Sequence, residues 1–299
     1  MLVLAGAGAY WWVKQQTTPD KVFHAAITKL LSTTSITQSV GDANNMGVVS
    51  YNLSNLKDPH VSVSLSIKAP GETIKLSGYG TLQNDYVKYN SFGDPTSDRA
   101  LSGIVNKWVQ MRTNGTLATG ADPSIEDLTS PRYLAFGDIM IGNFSAAQRQ
   151  QILQFIQTNN IYSYNAKKVT TATVNGKKVY VYPITENIAK LKELNKKVAP
   201  MMGLSTSDIQ DVLDTLGTSG NPKLYITVGS KEIVKYTLQE SGATATGSYT
   251  DYGSTTLPSE PTGAMSWTEF EQKQAAISNQ LLGSDTSGSS GLTSGAQSI

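Results

Sequence analysis

Two histidines, a few grouped carboxylates and a set of strand tyrosines are the side chains in this 299-residue chain with the chemistry to form a site. His24 stands between Phe23 and Ala25 on a predicted helix, and His60 follows Pro59 in a turn. They are far apart and lack zinc-ligand spacing. Glu126 and Asp127 lie in a polar stretch, and Asp208, Asp211 and Asp214 recur every three residues. That second spacing suits the solvated start of a short helix, whereas glycoside hydrolysis needs two carboxylates held across a cleft. Asp94, Asp98 and Asp122 offer hard oxygen ligands, but no Asp-rich calcium loop of about twelve residues surrounds them. There is no Gly-x-Ser-x-Gly elbow and no Gly-x-Gly-x-x-Gly in a strand-to-helix setting. The tyrosine pairs Tyr162/Tyr164 and Tyr180/Tyr182 fall at strand spacing, and Tyr86 and Tyr89 share another strand segment three residues apart. Such pairs line a cavity or a sugar-binding face, or pack across strands, which is the commoner reason. No reaction is legible, so a non-enzymatic chain without a cofactor or metal is expected.

Composition narrows the class further. Charged residues make up 16% of the chain, while 32 Ser and 32 Thr take over much of the polar surface. A net charge of +1 argues against nucleic acid, because neutralising phosphates takes dense Lys and Arg. With no cysteine, disulfides, thiol catalysis and cysteinyl metal sites are excluded, as is lipid attachment through a lipobox cysteine.

The elements that would position any site follow from periodicity. Met1–Val13 is an apolar run of thirteen residues closed by Lys14, with Trp11–Trp12 beside the lysine. It is shorter than the roughly 20 residues of a spanning helix and has no basic residue ahead of it, as a secretory signal would. Residues 1–16 are expected to be a truncated membrane anchor, with a buried strand as the alternative. From Pro19, apolar residues Val22, Phe23, Ala26, Ile27, Leu30 and Leu31 recur at helical spacing. The period then changes to two over 35–40, 47–56, 61–68, 72–82 and 86–89, which predicts an antiparallel meander with a turn at Pro70–Gly71. Leu101–Met111 carries apolar residues at helix-like spacing, and 115–131 reads as a surface excursion. Ser145 and Gln148 form a capping-box signature ahead of Ile152, Phe155 and Ile156. Asn175–Gly176 marks a hairpin, helices follow at 184–198 and 207–216, and strands at 223–228, 232–239 and 247–252. A helix over 263–282 and a disordered Gly/Ser/Thr-rich tail over 283–299 complete the chain.

Three stretches carry a family resemblance: PDKVFHAAITKLLSTTS at Pro19–Ser35, VTTATVNGKKVYVYPI at Val169–Ile184, and PKLYITVGSKEIVKYTLQE at Pro222–Glu240, followed by YTDYG at Tyr249–Gly253. The order of helix, long meander, inserted helices and closing strands resembles the LolA/LppX-like lipoprotein carriers over about residues 20–260. The resemblance implies a strongly curved antiparallel sheet, a half-open barrel, covered by helices with acyl chains or a lipid between them. It brings no catalytic residues, and the missing lipobox cysteine departs from LppX-like lipoproteins.

The expectation is an α+β domain over 17–262, extracytoplasmic, membrane-anchored or at the cell surface, and bacterial. Its partner would be a lipid or other apolar small molecule, with Leu65, Ile67, Tyr86, Tyr180, Ile226 and Val228 as cavity candidates. The membrane itself would be a partner through the amino-terminal segment. A structural or adhesive surface domain with a filled core is the alternative, and an envelope hydrolase a weaker one.

Overall fold

The computed structural model describes residues 17–41, 45–121, 130–131, 139–216, 222–240 and 243–284. The chain opens with helix α1 (Pro19–Leu30), in which Pro19 pre-sets the first turn and Asp20 meets the positive helix end. Strands β1 (Ser35–Gly41), β2 (Asn45–Asn52), β3 (His60–Ala69), β4 (Glu72–Gly80) and β5 (Asp85–Gly93) follow, then a short helix α2 (Pro95–Ala100), β6 (Trp108–Thr113) and β7 (Thr116–Leu117). Helix α3 (Ala146–Thr158) leads to β8 (Tyr162–Ser163), β9 (Thr170–Val174), β10 (Lys177–Pro183) and β11 (Thr185–Glu186). Helices α4 (Ile188–Val198) and α5 (Gln210–Thr215) precede β12 (Lys223–Thr227), β13 (Ile233–Glu240) and β14 (Ala243–Thr250), and the chain ends in β15 (Met265–Ser266) and α6 (Trp267–Ser284).

Thirteen strands join one sheet in the order β15-β6-β5-β4-β3-β2-β1-β14-β13-β12-β10-β9, with β7 beside β6. All neighbours are antiparallel except β15 and β6. The expected half-open barrel is thereby corrected. The sheet is an open path ending at β15 and β9, not strongly curled and not closed. Alternation in sequence specifies a wet and an apolar face but not curvature, which comes from bulges and bends. Long runs here stay in continuous register, such as Asn45–Asn52 against His60–Ile67 and Val61–Ala69 against Glu72–Gly80.

Two apolar clusters cover the sheet at different places. The larger gathers Val22, Phe23 and Leu30 of α1, Ile152 of α3, Leu191 and Leu194 of α4, and sheet residues including Ile36, Val63, Leu224 and Ile226. The smaller gathers Val87, Val109 and Met111 under Trp267 and Phe270 of α6, with Tyr89 stacked on Phe270. They meet where Leu65, packed on the first, stands opposite Leu76, packed on the second. At the centre Gln38 accepts from the Tyr51 hydroxyl (2.9 Å) and its amide donates to the Tyr236 hydroxyl (2.8 Å). Helix α1 is tied to the β12–β13 turn by Lys29, whose Nζ lies 2.7 Å from Glu232 Oε1 and donates to Ser230 O.

The helical spacing over 101–111 does not produce a helix. Asn106 takes a left-handed backbone (φ 58°) with its N–H on Tyr89 O, and β6 then starts at Trp108, burying Val109 and Met111. Pairing with β5 overrides the local period, and Asn tolerates the left-handed turn that permits it. The transmembrane expectation is also corrected: no helix among the described residues is long and apolar enough to cross a membrane. Residues 1–16 and the tail beyond 284 lie outside the described residues.

Two outcomes follow. A Cβ on Gly247 would lie 2.1 Å from Tyr236 Cζ, so Gly247→Ala should destabilise the fold by roughly 2 kcal/mol in urea titrations. Burial pushes the Glu232 carboxyl up, but hydrogen bonds from Lys29 and Ser230 outweigh this and hold it below its ordinary value of 4.5. A depressed carboxylate stabilises above its unfolded pKa and loses that contribution as pH falls through the folded value. Glu232→Gln should therefore cost about 1 kcal/mol near neutrality, with the difference vanishing in acid-range unfolding curves.

Candidate functional site

Helix α3 starts where its sequence says it should. Ser145 accepts from Gln148 N–H, and Gln148 Oε1 accepts from Ser145 N–H at 2.9 Å. From that start Ile152 and Ile156 face inward, while Phe155 is half-buried on the flank. Helix α4 turns Leu191, Leu194, Asn195 and Val198 inward and continues as a 3-10 turn over Ala199–Met202. Between the two helices runs a groove of about 530 Å³ with Ile152, Phe155, Leu194, Val198 and Met201 in its lining. Gln151, Gln154, Asn159 and Lys197 supply its polar side groups, and Lys197 Nζ sits 5.2 Å from the Phe155 ring centre.

A second groove, of about 390 Å³, opens on the other flank of α3 against α1. Here Tyr164 donates to Asp20 Oδ1 at 2.6 Å and its ring lies 5.0 Å from Phe23. Burial, and then the Asp20 hydrogen bond, push the Tyr164 phenol well above its ordinary value, so it stays a donor. His24, Gln157, Asn160 and Ser163 complete the wall.

The six cavity candidates fall in different settings. Tyr180 and Ile226 stand opposite each other across β10 and β12. Ile226 is fully buried in the larger cluster, and the half-buried Tyr180 donates to Thr17 O. Val228 lies just past β12, half-buried, with its N–H on Lys178 O. Leu65 is half-buried and Ile67 is 39% exposed further along β3. Tyr86 pairs with Tyr79 on the opposite face, where its hydroxyl donates to Glu260 Oε1 at 2.9 Å. Burial and that hydrogen bond push the Tyr86 phenol up to about 12. None of the six lines either groove. Of the apolar residues that do, Phe155 is legible in the sequence only as part of a helix face, and Met201, past the helix expected over 184–198, carries no sequence signal.

The other titratable candidates serve local structure. His60 Nδ1 lies 2.6 Å from Tyr79 Oη, and Asp58 is 3.4 Å from its Nε2. Asp94 caps α2 through Thr96 and Ser97, Asp98 accepts from Ser91 and Phe92 N–H, and Asp208 accepts from Ser205. Asp214 accepts from Gln210 Nε2, one turn earlier on α5. Asp122, Glu126 and Asp127 lie outside the described residues. Among the described residues no three His, Asp or Glu side chains converge as a metal site would require.

The class defined by these elements is an α+β domain with a large open antiparallel sheet and a grooved helical layer. No family model matches the chain, and no curated protein does. Among solved structures, LprF from Mycobacterium bovis is similar with a TM-score of 0.38 and 10% identity, over 81% of this chain and 96% of that one. The Mycobacterium tuberculosis lipoprotein LppX is similar with a TM-score of 0.35 and 10% identity, over 80% and 98%.

The strap from Gly253 to Gly263 is held at its far end by Glu260, which accepts from both Tyr86 and Asn84. Tyr86→Phe should cost about 1 kcal/mol of stability, measured by urea unfolding, because Asn84 still satisfies the carboxylate.

Proposed function

We propose that this chain is a non-catalytic domain that binds a lipid or other apolar molecule and works outside the cytoplasm. The observation that carries the reading is the groove between α3 and α4. Its volume, about 530 Å³, falls in the range of small-molecule sites. Its lining combines Ile152, Phe155, Leu194, Val198 and Met201 with the Lys197 ammonium beside Phe155. Each methylene of a linear chain buried there gains about 0.8 kcal/mol. A carboxylate or phosphate at the chain's end is matched by Lys197. A second reading, a structural or adhesive domain with a filled core, is favoured by the packing beneath the helices, where Leu194, Val198, Leu224 and Ile226 are all at most 1% exposed.

Native mass spectrometry of the full chain should reveal an apolar adduct, lost on denaturation and recovered by organic extraction. A fluorescent fatty acid should bind, and Phe155→Ala with Met201→Ala should weaken it about tenfold or more, each truncated side chain costing at least 1 kcal/mol of contact. A clean apo mass with no uptake of offered lipid would leave the filled-core domain standing.

A further inference from the structure

The two ends of the sheet are finished differently. At one end β15 is two residues long and leads into α6, whose Trp267 and Phe270 pack over the neighbouring strands. At the other end β9 (Thr170–Val174) has no further strand beside it among the described residues. It pairs with β10 in unbroken register, and Thr170, Thr171 and Thr173 are exposed. The loop between the two strands is Asn175–Gly176, both left-handed (φ 47° and 73°). A two-residue loop of this kind makes Val174 and Lys177 a hydrogen-bonded pair, so Ala172 and Thr170 also turn their backbone groups to β10. Thr171 and Thr173 therefore point N–H and C=O away from the sheet.

An open edge templates another strand, and proteins blunt it with proline, a bulge or charge along the strand itself. None of these is present in β9. Charge sits at its two ends instead. From Asn165 to Pro183 the chain carries four lysines and no acid. Lys167 and Lys168 precede the strand, Lys177 and Lys178 follow the turn, and all four are exposed. Lys223, opposite Pro183 on β12 and also exposed, adds to the first end. Acids on the neighbouring elements are already engaged. Glu232 is held by Lys29 and Ser230 with Lys177 close by, Asp20 is held by Tyr164, and Glu186 belongs to the separate β8–β11 pair.

That arrangement selects the occupant. A second copy pairing antiparallel would set Lys167 and Lys168 of each chain beside the Lys177–Lys178 turn of the other. Pairing in parallel would set like ends together. An extended segment with an uncharged middle and carboxylates at both ends meets the same edge without repulsion. The outward N–H and C=O of Thr171 and Thr173 call for another peptide backbone, which neither a lipid nor a nucleic acid supplies.

We infer that the β9 edge docks an extended, acid-flanked segment of another protein by strand addition, with Thr171 and Thr173 pairing its backbone and the lysines at each end meeting its carboxylates. This surface lies apart from the α3–α4 groove, whose lining includes no β9 residue, and stands without the groove reading.

The probe is a rhodamine-labelled peptide, Glu-Glu-Thr-Val-Thr-Val-Thr-Glu-Glu, with a partner in which lysine replaces every glutamate. Added to the full chain, the acidic peptide should raise its fluorescence anisotropy and the basic one should not, and salt should weaken the response. Thr171→Pro removes an outward N–H at a place where an edge strand tolerates proline, so urea unfolding should change little while peptide affinity falls about tenfold or more. Thr171→Val keeps that N–H and should keep the affinity. Lys168→Glu combined with Lys178→Glu should reverse the preference, favouring the basic peptide. Phe155→Ala, which weakens fatty-acid binding, should leave peptide binding intact. The inference falls if the acidic peptide does not bind at millimolar concentration, or if both peptides bind alike. It also falls if Thr171→Pro folds and binds as before, or if Phe155→Ala weakens the peptide, which would place it in the groove. Sedimentation showing a dimer that Thr171→Pro dissolves would assign the edge to a second copy and overturn it too.

Discussion

The pairing of β1 with β14 joins two halves of the molecule that are otherwise separate meanders. Thr37–Gly41 lies against Thr246–Thr250, and through that contact the amino-terminal strands β2–β6 and the carboxy-terminal strands β13, β12, β10 and β9 become one sheet. Its closeness depends on small, specific features. Gly247 leaves room for the Tyr236 ring, and Gln38 spans from Tyr51 to Tyr236 so that neither phenol is buried without a partner. Burial holds Tyr51 and Tyr249 far above the ordinary phenol range, so this central seam stays neutral and hydrogen-bonding over any physiological pH. The larger apolar cluster draws on both halves and requires the seam to be closed.

The helical layer is a consequence of that joined sheet. Helix α1 docks over the β12–β13 turn through Lys29 and Glu232, and the segment before α3 hydrogen-bonds to its end through Gly142 and Phe144. Helices α3 and α4 bury one flank each and leave Phe155 and Met201 half-covered between them. A groove on the outside of the layer is therefore what remains when two amphipathic helices each satisfy the sheet before each other. Beneath the helices Leu194, Val198, Leu224 and Ile226 are at most 1% exposed, and the two grooves lie on the flanks of α3.

Much of the layout was readable from residue order. Pro19 and Asp20 announce α1, Ser145 and Gln148 announce α3, and Asn175–Gly176 takes the paired left-handed turn its residues favour. What was not readable depends on long-range pairing. The strand β6 is hidden under a helical spacing because its conformation is imposed by β5, and sheet curvature leaves no trace in alternation. The candidate site fared likewise. Leu65 and Ile226 read alike in the sequence, as apolar strand residues, yet one sits at the junction of two clusters and the other deep in one. Phe155 and Met201 line a groove only because of how far apart α3 and α4 come to rest, a distance no local pattern encodes.

The β1–β14 seam also has a consequence in time. Synthesis runs at about 5–20 residues per second, so the outer edge of β1 waits some ~10–40 s for β14 to leave the ribosome. Throughout that interval Ile36 and Val40 line an unpaired strand edge, the kind that templates pairing with other chains. A newly made chain of this kind is most vulnerable before its last fifth exists, and its folding is timed by the carboxy-terminal strands rather than by the helix that begins it.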